Sequence, residues 1–120
     1  MPNAIQVNSP NSAFIPPDAS SDQRTRLGRY CDWLNASQLS YLTADLSAYR
    51  DYLLTTDLSR SSMTNYLGSV RARYRELMRS NVFRADLETM AVNACVAGGW
   101  EPNPANVRAI MDEYMQRLSN

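Results

Sequence analysis

An apolar stripe between residues 59 and 79 constrains this chain more than any other feature. Met63, Leu67, Val70, Tyr74 and Leu77 recur at steps of four, three, four and three. An α-helix turns about 100° per residue, so these five side chains share one narrow face over four turns. Such a helix has to be covered by other elements. Ser59, just before the stripe, is a good N-cap residue.

The remaining chain reads the same way. A first helix is expected from Ser20 or Ser21, with Asp22 in its first turn facing the positive end of the dipole. Leu27, Tyr30, Cys31 and Leu34 mark its buried face, and Asn35-Ala36-Ser37 ends it. A second helix is expected from an N-cap at Thr43, burying Leu46, Tyr49 and Leu53. A fourth is expected from about Asp86 to Ala97, burying Leu87, Met90, Ala91, Ala94 and Cys95, with Gly98-Gly99 as its stop. A fifth, capped by Asn103 with Pro104 in its first turn, carries Val107, Ile110, Met111, Tyr114 and Leu118. No segment alternates with period two long enough for a strand. The expected fold is therefore all-α, a compact orthogonal bundle of four to five short helices. The 120 residues suit one domain, over residues 20–118. Residues 1–19, rich in Asn, Pro and Ser, are expected to be a flexible N-terminal arm.

Several classes of function are disfavoured by what the chain lacks. It has no His and two cysteines, too few for the usual four-ligand zinc set. No metal or cofactor is expected, and Cys31 and Cys95 are read as buried reduced thiols. No nucleophile has a base beside it, no carboxylates are paired, and the four glycines form no phosphate-cradling loop. A stand-alone enzyme with a small-molecule substrate is not expected. No stretch approaches the ~18 apolar residues of a membrane span, and no signal segment opens the chain, so the expected compartment is the cytoplasm.

The charge distribution is more informative than its zero sum. All twelve bases are arginines, and ten lie in residues 24–84 against five carboxylates. The last third reverses the balance, with Arg108 and Arg117 against Asp86, Glu88, Glu101, Asp112 and Glu113. Arginine is the better fork for phosphates and guanine edges. With Met63 at zero, Arg60, Arg71, Thr64, Arg75, Gly68 and Arg79 fall between about 60° and 160° on the helical wheel, a basic flank beside the stripe. Gly68 leaves a gap through which a nucleic-acid backbone could approach. Arg73 falls on the opposite flank with Tyr66. On the first helix Arg26, Arg29 and Trp33 form a second group, in which Trp33 could support an arginine by stacking. The bland alternative is a solvated outer face, and the pI near 6.2 argues against a strong isolated DNA binder. Tyr49, Tyr74 and Tyr114 are read as core residues, and Trp33 equally as a partly buried packing residue.

Three consecutive segments carry a family likeness: Tyr30-x-x-Trp33-Leu34, Thr43-x-Asp45-Leu46-x-x-Tyr49-x-x-Tyr52-Leu53, and Leu58-Ser59-x-Ser61-Ser62-Met63-x-x-Tyr66-Leu67-x-x-Val70-Arg71-x-x-Tyr74. In that order and spacing they resemble the N-terminal core-binding domain of tyrosine recombinases, the phage-integrase family. Asn103-Pro104-Ala105 is similar to a motif that often follows. Arg60 stands where the family often has Pro, and Ser62 where it often has Thr. The resemblance implies a SAM-like helical bundle that forms half of a clamp on double-stranded DNA and touches sister protomers in the synaptic assembly. It also implies that the catalytic Arg, His and Tyr lie in a following domain, so that this chain is part of a longer recombinase or integrase. Arg71 matches the family's third-helix arginine and Ser62 its helix-start residue; Arg75 and Arg79 come from the wheel alone. The expected function is thus DNA binding for integration or recombination. The alternative is a helical protein–protein interaction domain that binds no DNA.

Overall fold

A computed structural model describes residues 10–119. Among them are five α-helices and no strand: α1 (Ser21–Ala36), α2 (Leu46–Leu53), α3 (Arg60–Leu77), α4 (Asn81–Ala97) and α5 (Pro104–Ser119). No helix among these residues is long and apolar enough to cross a membrane.

The caps follow local chemistry. Ser20 starts α1 with a reciprocal capping box to Gln23. Ser59 caps α3 through the Ser62 N–H, and Asn103 caps α5 through the Asn106 N–H at 2.8 Å. Two starts differ from the sequence reading. Asp45, not Thr43, caps α2: its carboxylate accepts from the Ser47 N–H at 2.9 Å, while Thr43 lies in the preceding turn. Helix α4 begins five residues earlier than Asp86, because Ser80 caps it and Phe83 in its first turn is buried.

Helices α1 and α4 end in the same device. The Leu39 N–H bonds the Leu34 carbonyl and the Trp100 N–H bonds that of Cys95, each at 2.8 Å and each spanning the last turn. This needs one left-handed residue. Gly99 supplies it after α4 (φ 75°), whereas Gln38 (φ 56°) does so after α1.

The core is aromatic. Tyr30, Tyr49 and Tyr74 are fully buried, and the Tyr74 ring lies 4.7 Å from that of Phe14. The Tyr74 hydroxyl donates to the Tyr41 carbonyl at 2.7 Å and lies 2.6 Å from the Tyr30 hydroxyl. Its single proton is committed to Tyr41, so Tyr30 donates to Tyr74. A smaller cluster of Ala91, Cys95 and Val107 seals the α4–α5 hairpin. Tyr114 is half-buried against it, and both cysteines are buried and unpaired. Burial pushes the Cys31 thiol up to about 11.

The expected flexible arm over 1–19 is corrected for its second half, while residues 1–9 lie outside the described residues. Asn11–Phe14 form a short 3-10 helix. Phe14 has no exposed surface and packs on Tyr30, Tyr41 and Tyr74. The Asn11 side chain donates to Asn35 and to the Leu39 carbonyl and accepts from the Tyr41 N–H. One buried ring and one fully used amide fix a segment whose composition reads as loop.

Candidate nucleic-acid interface

The α3 stripe packs inward as its spacing requires: Leu67, Val70 and Tyr74 are buried, with Met63 and Leu77 half-buried against the core. This turns the basic flank outward. Arg60, at the start of α3, and Arg75, in its last turn, are exposed. Neither meets a carboxylate within ion-pair distance among the described residues. Arg71 is half-buried and is not without a partner. Arg79 does not continue the flank. Met78 ends α3, and Arg79 sits exposed in the turn before α4.

The hydroxyl groups near the start of α3 are partly occupied. Thr64 is exposed, but its hydroxyl donates to the Arg60 carbonyl at 3.0 Å, leaving it as an acceptor. Ser62 accepts from the Ser59 hydroxyl at 3.1 Å and belongs to the helix cap. Thr64 is therefore not a free donor for phosphate, whereas the bond from Ser59 leaves the Ser62 O–H uncommitted.

The structure brings part of the α1 group to α3. Arg26, Thr64, Gly68, Ser69 and Ala72 line one cleft of about 370 Å³ between the two helices. Arg26 is half-buried there and donates weakly to the Ser69 hydroxyl at 3.4 Å. Gly68, Ser69 and Ala72 give α3 a run of small residues in this lining, and a Cβ built at Gly68 would meet nothing within 4 Å. Glu76 also lines this cleft, but Arg73 holds its carboxylate at 2.6 Å and offsets its charge. The result is a trough with Arg26 on the α1 side, while Arg60 and Arg75 are exposed on α3 outside its lining.

Arg29 goes elsewhere. Its guanidinium lies 5.5 Å from the centre of the Tyr66 ring. The expected support by Trp33 is corrected: Trp33 packs instead against the rings of Tyr30, Tyr49 and Tyr52.

Arg73 is the functional-looking arginine whose role the sequence hid. Its Nε donates to the Phe14 carbonyl at 2.6 Å and a terminal nitrogen reaches Ala13 at 3.4 Å. It fastens the N-terminal segment rather than facing solvent. The one local signal was its spacing to Glu76, three residues on.

Comparison with protein-family models, with curated proteins and with solved structures finds no match.

Proposed function

We propose that this chain is a DNA-binding module that grips duplex backbone with the outer face of α3 and the neighbouring side of α1. The observation that carries the reading is the Gly68 trough. The cleft is open to close approach at Gly68, Arg26 stands on its α1 side, and Arg60 and Arg75 are exposed on α3. Phosphate contacts of this kind set register, and base-edge contacts add specificity. Together with the helix motifs this supports a core-binding role in a tyrosine recombinase, acting in integration or recombination beside sister protomers and a separate catalytic domain.

The test is fluorescence anisotropy of a labelled duplex against salt. Two lost phosphate contacts should flatten the log–log salt slope by about 1.8 in an Arg60→Gln/Arg75→Gln chain. Identical slopes for both proteins, or binding indifferent to salt, would remove the reading. The rival, a protein-interaction domain, draws on Trp100, which is 62% exposed beside Glu101 in the acidic last third. It predicts no retention on heparin at low salt and concentration-dependent self-association.

A further inference from the structure

A second cleft, of about 530 Å³, lies where α1 meets Tyr52 of α2 and Tyr66 of α3. Its α1 wall includes Arg24, Gly28 and Asp32, which follow one another at four-residue spacing and so form one row. Gly28 sits inside a helix, where glycine is disfavoured. Packing does not demand it, since a Cβ there would meet nothing within 4 Å. What the missing side chain leaves is room.

The walls suit an oxyanion. Arg29 is held over the Tyr66 ring, and its N–H groups find no acceptor among the described residues. Arg24 gives one N–H to the Pro17 carbonyl at 2.7 Å and retains others. Two guanidinium groups against the single carboxylate of Asp32 leave the cleft positive. Asp32 stands one turn past Gly28, so the basic end is toward the start of α1, the positive end of its dipole. Tyr52 is fixed by stacking on Trp33 and Tyr49.

A buried polar group stands behind the Tyr52 wall. The Tyr49 hydroxyl is the buried side-chain polar atom that finds no hydrogen-bond partner among the described residues. The Tyr49 ring stacks on that of Tyr52, a wall of the cleft, with centroids 6.0 Å apart.

We infer that this cleft seats one backbone phosphate of duplex DNA, with Arg29 as its principal donor and Gly28 as the opening that admits it. The inference rests on the DNA-binding reading and deepens it. Arg26 faces the Gly68 trough and Arg29 faces this seat, so α1 presents donors on both of its sides.

The test uses Gly28→Leu, which fills the recess while keeping every charge, and Arg29→Lys, which keeps the charge but loses the planar fork. Each is titrated with a 20-base-pair duplex and, separately, with inorganic phosphate, following the backbone amide signals of residues 28, 29 and 66. Thermal melts confirm that both variants fold. The expected result is duplex binding weakened about tenfold in each variant, the equivalent of one lost charge-assisted hydrogen bond. Phosphate should move the three amides in the unsubstituted chain and not in Gly28→Leu. Unchanged duplex affinity in both variants, while Arg60→Gln/Arg75→Gln still weakens binding, overturns the seat alone and leaves the DNA reading standing. A chain that binds no duplex at low salt overturns both.

Discussion

Removing one oxygen atom, in Tyr74→Phe, is the sharpest test of how this core is held together. The ring stays, so packing on Phe14 and Phe83 is kept. What disappears is the hydroxyl that donates to the Tyr41 carbonyl and accepts from Tyr30. Two buried groups then lose their partners, the Tyr41 carbonyl and the Tyr30 O–H, in residues 5% and 0% exposed. A buried group left unsatisfied costs about 1–3 kcal/mol, so the expected loss is about 3 kcal/mol. Tyr30→Phe differs, because Tyr74 still donates to Tyr41 and loses only an incoming bond; about 1 kcal/mol is expected. In Tyr30→Phe/Tyr74→Phe only the Tyr41 carbonyl is orphaned, and the loss falls to about 2 kcal/mol. The double variant should therefore be more stable than Tyr74→Phe alone. Urea unfolding reads this as midpoints at unchanged m-value. A Tyr74→Phe cost below about 0.5 kcal/mol, or additive losses in the double variant, would refute the relay.

Three further outcomes follow from particular contacts. Gln38→Gly should stabilise the chain by about 1 kcal/mol in the same urea assay, because Gln38 holds the left-handed position that Gly99 fills after α4. Asp45→Ala should cost about 1 kcal/mol at neutral pH through loss of the α2 cap. Hydrogen bonds from Ser47 hold the Asp45 carboxyl below its ordinary 3.8, so its contribution is present above that value and fades as pH falls through the lowered one. In Asp45→Asn that part of the acid-side loss should vanish, as stability measured from pH 6 down to pH 2 would show. Arg73→Gln should free the segment around Phe14, seen as faster chymotryptic cleavage there with the five helices intact by circular dichroism; an unchanged cleavage rate would contradict the fastening role.

The elements that could be read from residue order are those written by nearest-neighbour chemistry. The α3 stripe, the Ser20 and Ser59 caps, the Pro104 start and the Gly98-Gly99 stop each depend on side chains within a few residues of one another. What residue order hid depends on partners far along the chain. Phe14 reads as part of a polar arm until Tyr30, Tyr41 and Tyr74 close around it. Arg73 reads as one of three alternating arginines until a carbonyl 59 positions away takes its Nε. Tyr66 and Arg29 share no sequence motif, yet meet ring to guanidinium.

The same distinction explains the fate of the basic flank. A helical wheel assigns angles but assumes that the helix continues and that every outward arginine stays outward. Helix α3 stops at Leu77, which releases Arg79 from the row, and Arg71 is half-buried and not without a partner. Arg60 and Arg75 keep their places because nothing within reach carries a compensating carboxylate among the described residues. The wheel could not anticipate that α1 would bring Arg26 to the far side of Gly68, since that depends on the packing of Leu27 and Leu67 into one core. A guanidinium flank on one helix is a commonplace of solvated surfaces. The proposed grip needs more: Arg26 brought from α1 to the cleft where Gly68 leaves α3 without a side chain, and this pairing is a tertiary property of the α1–α3 contact.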